Sequence, residues 1–366
     1  FGFLPGTLYI LAGVVLGGAV QDMTILVGSM RRGGKSLGQM VREEIGPVGG
    51  AAALVGVLAI MVILIGVLGL VVVNAMYGSP WATSTVAATI PIALLMGAYM
   101  MYVRPGRVLE ASLGGLALVL FAVVAGRWVG ESAALRPYFD LGKPALALAL
   151  VVYGFVASVL PVWLLLAPRD YLSAFVKLGT VALLALGLAI AAPPVQLPAL
   201  TRFLDGSGPV FAGPVFPFAF ITIACGAMSG FHSLIASGTT PKLLDRETDA
   251  RMIGYGAMLM ESFVAIMALL SAAVMDPGHY FAINSPPAAI GTTIEQAAET
   301  IRGWGFAFDP AAFQQLTRDV GEHTLLSRTG GAPSLAVGMA EIFSSVLGGP
   351  ALKSLWYHCA VMFEAL

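Results

Sequence analysis

Three ionisable side chains of this sequence fall inside strongly apolar stretches. Asp22 follows a run of small residues, His232 lies among glycines and serines, and Glu261 lies ten residues after Arg251. A charged group inside a membrane segment is costly and commonly marks an ion or proton path. The candidate chemistry is therefore proton or cation binding, with His232 and Glu261 as a hypothetical proton pair and Asp22 as the next candidate.

Each of these three residues also has a structural interpretation. Asp22 could be a carboxylate paired with another helix, and Glu261 a protonated glutamate held by hydrogen bonds. His232 could be a satisfied histidine in a tightly packed helix. The sequence leaves both interpretations open.

The segment 226–242 is the most unusual part of the chain. It contains three glycines, three serines and a histidine where a lipid-facing helix would carry leucine and valine. Such a stretch must face protein or a water-filled cavity, and discontinuous helices form substrate sites in many secondary transporters. Half-helix N-termini and hydroxyl groups could bind an anionic solute. The candidate hydroxyls are Ser229, Ser233, Thr239 and Thr240.

The composition excludes a soluble globular domain. The 366 residues are 58% hydrophobic and 11% charged, with a mean hydropathy of +0.88, whereas soluble domains carry about 25% charged residues. The net charge of −1 gives no basic surface for nucleic acid. The cysteines Cys225 and Cys359 are isolated, and no P-loop or H-E-x-x-H pattern occurs. The one G-x-S-x-G match, residues 34–38, lies in the basic loop 27–51 and has no strand before it, so it does not indicate a nucleophile elbow. The sequence therefore indicates no cofactor, no metal and no enzyme site.

The elements that must position these residues are membrane-spanning helices. An all-α polytopic membrane protein is predicted, with eight or nine transmembrane helices, since about 20 apolar residues cross a bilayer. A ninth stretch begins near residue 334, with a possible interruption at residues 348–350. The eight full stretches are 4–26, 52–75, 81–103, 109–128, 144–166, 171–192, 215–238 and 252–275.

The predicted organisation has three parts. Residues 1–275 form a helical bundle, 276–330 an extracytoplasmic segment with short helices near 291–303 and 310–320, and 331–366 a further membrane region. Lysine and arginine are more numerous in loops 27–51, 104–108, 167–170 and 239–251, which are therefore placed in the cytoplasm. Because the chain begins at Phe1 and stops inside an apolar stretch, it is expected to be an internal fragment of a longer protein.

Several stretches of the chain carry a more specific pattern. They are 17–22 (GGAVQD) with 32–36 (RGGKS) and 42–46 (REEIG), then 160–173 (LPVWLLLAPRDYLS), the segment from 230–233 (GFHS) to 242, and 356–366 (WYHCAVMFEAL). Together they resemble the carbon starvation protein A (CstA) family over essentially the whole chain. The family usually has His-Asp where this chain has Gln21 and Asp22.

The resemblance implies a bacterial inner-membrane uptake protein for short peptides or pyruvate, coupled to protons and made when preferred carbon runs out. It also implies the five-plus-five inverted repeat of the amino acid–polyamine–organocation (APC) superfamily. The expected partners are the solute, H⁺ and membrane lipid. A membrane sensor that binds such a solute without transporting it is the alternative. The choice of peptide or pyruvate, of H⁺ or Na⁺, and the oligomeric state stay open.

Overall fold

The computed structural model describes residues 1–365, and these form helices joined by loops and short 3-10 turns. No β-strand occurs among them. In chain order the helices are α1 Phe3–Met30, α2 Leu37–Glu44, α3 Pro47–Met76, α4 Pro80–Val103, α5 Val108–Glu131, α6 Arg136–Phe139, α7 Lys143–Val159, α8 Leu166–Ala191, α9 Val215–Thr222, α10 Ala224–Ala227, α11 His232–Ala236, α12 Glu247–Val274, α13 Pro277–Asn284, α14 Pro287–Ile290, α15 Ile294–Gly303, α16 Pro310–Asp319, α17 Ala332–Val346 and α18 Lys353–Ala365.

Within residues 1–365, six helices are long and apolar enough to cross a membrane: α1, α3, α4, α5, α8 and α12. All six lie on predicted spans. The helices α7 and α17 are apolar but shorter. Helix α7 stops at Val159, two residues before Pro161, and a proline disfavours helical conformation in the residue before it.

The predicted span 215–238 does not form one continuous helix. It is divided into α9, α10 and α11, and residues 228–231 between the last two are not helical. Met228 has an extended backbone, with φ −161° and ψ 91°. Glycines at 226 and 230 weaken the helix here because glycine loses the most conformational freedom on ordering. The predicted total of eight or nine spans is therefore not reached by continuous helices.

The described residues form two compact units. The first contains Phe1–Val67 and Leu197–Ala273. In it, α1 packs against the broken segment α9–α11 and against α12. Both long helices contain a π-helical turn, Val14–Gly18 in α1 and Arg251–Gly256 in α12.

Close packing in the first unit depends on glycine. A Cβ atom added at Gly18 of α1 would lie 2.3 Å from the carbonyl oxygen of Ala227, and one at Gly254 of α12 would lie 2.7 Å from Cα of Met23. No side chain fits at such distances, so these glycines allow the backbones of the three elements to approach.

The second unit contains Leu68–Gln196 and the described residues from Val274 onward. Its helices α4, α5, α8 and α18 share an apolar core, formed by Ile92, Met96, Val119, Val123, Leu172, Val176 and Met362. Helix α17 packs on α18 and α8.

Four short helices follow α12. Helices α15 and α16 lie close to the predicted positions 291–303 and 310–320, whereas α13 and α14 were not predicted. Helix α15 begins with a capping box between Thr293 and Gln296, and α16 begins with Asp309 as its N-cap followed by Pro310. These residues satisfy the free N–H groups of a helix start. The placement of 276–330 outside the membrane, between a bundle (1–275) and a further membrane region (331–366), stays a prediction.

Candidate functional site

His232 is held between two carboxylates from different helices. Its Nδ1 lies 2.8 Å from Oδ2 of Asp22 on α1, and its Nε2 lies 2.7 Å from Oε2 of Glu261 on α12. We call Asp22, His232 and Glu261 the His232 cluster. The structure therefore brings together the hypothetical His232–Glu261 pair and adds Asp22 to it.

The hydrogen bonds of the His232 cluster require an extra proton. A protonated imidazole donates from both nitrogens, whereas a neutral one has a single donor and a single acceptor. In the neutral case the acceptor nitrogen needs a protonated carboxyl opposite it. Either arrangement holds one proton more than a neutral imidazole between two carboxylates. The closed cluster is thus a proton-binding arrangement, whichever atom carries the proton.

Exposure of the side chains increases across the cluster, from 8% for Asp22 through 20% for His232 to 33% for Glu261. The second carboxylate oxygen of Asp22, Oδ1, is buried and accepts no hydrogen bond from the described residues. Buried acceptors of this kind are uncommon and call for a structural or functional explanation. Asp22 therefore keeps one free acceptor at the inner end of the cluster.

The break in the helix positions His232. Residue 232 is the first residue of α11, directly after the non-helical residues 228–231. Asp22 and Glu261 each lie a few residues beyond the π-helical turn of their own helix. Such turns change the direction of the following side chains and are frequent at functional sites.

Polar side chains satisfy the backbone groups that the break leaves free. Gln21 Nε2 donates to the carbonyl oxygen of Ser229 at 2.8 Å and to Oγ of Ser233 at 3.0 Å. Ser262 Oγ donates to the carbonyl oxygen of Gly226 at 2.5 Å. Gln21 is next to Asp22 in the chain, and Ser262 is next to Glu261. The same parts of α1 and α12 therefore contact both the broken segment and His232.

The four hydroxyl candidates divide into two groups. Ser229 and Ser233 are buried and lie beside Asp22 and Glu261 through their contacts with Gln21 and Cys225. Thr239 and Thr240 lie beyond α11, and in the described part of the chain neither contacts the His232 cluster. Thr239 is exposed, and Thr240 Oγ1 donates to the carbonyl oxygen of Ile235 at 2.7 Å.

The sequence reasoning missed three residues of this region. Gln21, Ser262 and Cys225, whose Sγ lies 3.2 Å from Oε1 of Glu261, were not among the candidates. A signal was present for two of them, because Gln21 and Ser262 are polar residues in apolar helices and adjoin the carboxylates. No group of three His, Cys, Asp or Glu side chains within residues 1–365 is arranged to hold a metal ion.

Comparisons with known proteins identify the family of this chain. The family model described as "Carbon starvation protein CstA" matches residues 1–366. The "Peptide transporter CstA" of Escherichia coli (strain K12) is 56% identical over 100% of this chain and 53% of its own length. The "Pyruvate/proton symporter BtsT" of the same organism is 50% identical over 100% of this chain and 54% of its length.

A third relative, the "Peptide transporter CstA" of Mycobacterium tuberculosis (strain ATCC 25618 / H37Rv), is 54% identical over 100% of this chain and 49% of its length. The chain thus spans about half the length of the curated relatives it matches. No solved structure matches it. On the family match over all 366 residues, and with six long apolar helices, this chain belongs to the carbon starvation protein CstA family and is a multi-pass membrane protein.

Proposed function

We propose that the protein is a secondary transporter that imports a small carbon source, a short peptide or pyruvate, together with a proton. It would act in the bacterial inner membrane and serve uptake during carbon starvation. The relatives named as a peptide transporter and a pyruvate/proton symporter support both substrate classes.

The His232 cluster carries this proposal. An imidazole between two carboxylates holds an extra proton more tightly while the three groups stay in contact. Movement of the broken segment α9–α11 relative to α1 and α12 would separate the groups and release the proton. Alternating exposure of such a site is what a proton symporter requires.

The broken segment would also supply the substrate contacts. Ser229 and Ser233 lie next to the cluster, and a carboxylate of the substrate could accept hydrogen bonds from their hydroxyls. Thr239 and Thr240 would contribute only after a rearrangement, because they lie beyond α11. Glu261, His232 and Asp22 would form the proton path.

The proposal includes a finer architecture. The protein would have the APC-type five-plus-five inverted repeat, with eight or nine spans in this part of the chain. Helices α7 and α17 and the broken segment α9–α11 are the candidates for the additional spans. Bound solute, H⁺ and surrounding lipid would be its partners.

The test is uptake by proteoliposomes that contain the protein as its natural gene encodes it. Labelled pyruvate and a labelled dipeptide are offered with and without an inward proton gradient. We expect one of them to accumulate, and we expect a protonophore to abolish the accumulation. Absence of gradient-dependent uptake of either solute would contradict the proposal, and solute binding without flux would favour a sensor.

A further inference from the structure

A second polar site lies in the second unit, away from the residues used above. It is a cavity of about 390 Å³, which is within the range of small-molecule pockets. Its walls come from loops and helix ends that the lysine and arginine distribution places on the extracytoplasmic side. Ser79, Trp81, Glu322 and His358 form its floor, and Arg136 and Arg318 are at its mouth.

The floor contains acceptors that lack a donor. The side chain of Glu322 is 2% exposed, its Oε2 lies 3.1 Å from Nη1 of Arg328, and its Oε1 is buried with no hydrogen-bond partner in the described chain. His358 Nδ1 lies 2.8 Å from the carbonyl oxygen of Ser354. A carbonyl only accepts, so Nδ1 carries the proton and Nε2 of the neutral ring is an acceptor.

These two acceptors face each other. Nε2 of His358 lies 3.7 Å from Oε1 of Glu322 and 3.5 Å from Oγ of Ser79. A single hydroxyl hydrogen cannot serve both acceptors well, and leaving a buried acceptor without a partner is energetically unfavourable. A ligand ammonium group has three donors and a positive charge, so it matches this floor.

A cation beside Oε1 would change the protonation of Glu322. Burial raises the pKa of Glu322, which favours the neutral acid, and the Arg328 guanidinium and a hydrogen bond from Ser79 oppose that rise only in part. Arg328 also donates to the carbonyl oxygens of Ala75 and Tyr77, so its charge is shared with other acceptors. A second cation at Oε1 would favour the ionised carboxylate.

The mouth of the cavity favours an anionic group, whereas the floor favours a cationic one. Arg318 donates to Oε1 of Gln315 at 2.7 Å and has no carboxylate partner within residues 1–365. Nη2 of Arg136 lies 2.6 Å from Nε2 of His323. Glu131 at the mouth is paired with Arg127 at 2.9 Å. Arg318 is therefore available to a carboxylate, which arginine binds in a bidentate manner. Arg136, whose Nε lies 3.6 Å from Oδ2 of Asp140, adds a second guanidinium at the mouth.

The wall between floor and mouth is rigid. The indole of Trp81 stacks on His358, with ring centroids 3.8 Å apart and planes 11° apart. Its Nε1 donates to the carbonyl oxygen of Val123 at 2.7 Å. These contacts hold the ring beside the floor, so a ligand in the cavity would lie against the indole of Trp81.

We propose that this cavity binds a small zwitterion, an amino acid or short peptide, with its ammonium group at Glu322, His358 and Ser79 and its carboxylate at Arg318 and Arg136. A simple anion such as pyruvate satisfies only the mouth and leaves the Glu322 acceptor without a donor. This inference goes beyond transport, because the cavity is a binding site whose occupancy can be measured without flux.

The experiment uses the protein as naturally encoded, purified in detergent. Binding is followed by tryptophan fluorescence, and Trp81→Phe assigns the signal to the cavity. L-alanyl-L-alanine should bind, while its N-acetylated form, which lacks the ammonium, and its C-terminal amide, which lacks the carboxylate, should each bind at least tenfold more weakly. Equal binding of the three compounds, or no signal from Trp81, would overturn the inference.

Two variants test the two ends separately. Glu322→Gln should weaken dialanine binding at least tenfold, and the exposed Glu299→Gln on α15 is its matched control.

Because Glu322→Gln also breaks the Arg328 pair and could prevent folding, Arg318→Gln provides a second route. Arg318→Gln should weaken dialanine binding and leave binding of the amide unchanged, whereas Arg107→Gln should change neither. Wild-type dialanine affinity in Arg318→Gln would contradict the assignment of the mouth. Proton-driven uptake depends on the His232 cluster and is measured independently.

Discussion

At the scale of single residues, the proposed proton coupling rests on one imidazole with a carboxylate on each side. His232 cannot hydrogen-bond to both Asp22 and Glu261 unless the cluster holds an extra proton. Coupling follows if the contacts break when the solute site opens to the other side. The proton would then be bound and released once in each transport cycle.

A neutral replacement at Glu261 should separate exchange from accumulation. We expect Glu261→Gln to lower gradient-driven uptake at least tenfold, about 1.4 kcal/mol, because the cluster no longer gains and loses its proton. Exchange of internal for external substrate needs no net proton movement, so it should persist. Counterflow and net uptake measured in the same proteoliposomes check this.

The matched control is His279→Gln, which changes a histidine on α13 outside the cluster. It should keep both net uptake and exchange. Glu261→Gln that accumulates solute like the parent protein would show that Glu261 does not carry the coupling.

The three cluster residues could be picked from the sequence, and their arrangement could not. Asp22, His232 and Glu261 stand out because ionisable groups are rare in apolar stretches. Which helix faces which depends on tertiary packing, and residues 22 and 232 are 210 positions apart. Gln21 and Ser262 were missed since their role, satisfying carbonyls at Ser229 and Gly226, exists only after the helix breaks.

At the scale of elements, the decisive feature is the broken segment α9–α11. Its apolar composition predicts a membrane span, and its glycines, serines and histidine set it apart from a lipid-facing helix without deciding between a broken and a tightly packed one. In the structure the helix is broken, at residues 228–231. The exact position of the break could not be predicted from the sequence. It depends on side chains of α1 and α12 that donate hydrogen bonds to the carbonyl oxygens freed by the break.

Gly18 should not tolerate a side chain, because α1 packs closely against the broken segment at this position. A Cβ atom in Gly18→Ala would lie 2.3 Å from the carbonyl oxygen of Ala227, so α1 or the broken segment must shift. We expect a loss of about 1–3 kcal/mol, the usual cost of overpacking. Thermal unfolding of the detergent-purified protein measures it.

The matched control is Gly56→Ala on α3, where an added Cβ has no atom within 4 Å. Alanine favours helix over glycine by up to about 1 kcal/mol, so this variant should be neutral or slightly stabilising. Equal unfolding temperatures for Gly18→Ala and Gly56→Ala would contradict the close approach at Gly18.

At the scale of the whole molecule, six of the predicted spans correspond to long apolar helices. Length and hydropathy sufficed for these because a bilayer sets the length of an apolar helix. They failed for 215–238, where the composition is apolar but the backbone is not continuous. Sidedness depends on the charge distribution in the loops and can be tested directly.

The loop at Arg107 is predicted to be cytoplasmic and helix α15 to be outside. In a background without other cysteines, Glu299→Cys should react with a membrane-impermeant maleimide in intact cells. Arg107→Cys should react only after permeabilisation, and a permeant maleimide should label both. The reverse order of labelling would invert the predicted topology.

The most direct measurement is proton movement driven by the solute. Proteoliposomes with an internal pH dye, and the naturally encoded protein, receive pyruvate or dialanine without an imposed gradient. We predict that the interior acidifies with the transported solute, and that His232→Ala, which removes the bridge between Asp22 and Glu261, abolishes the acidification. Solute entry without acidification in the parent protein, or full acidification in His232→Ala, would contradict the central claim that the His232 cluster couples transport to protons.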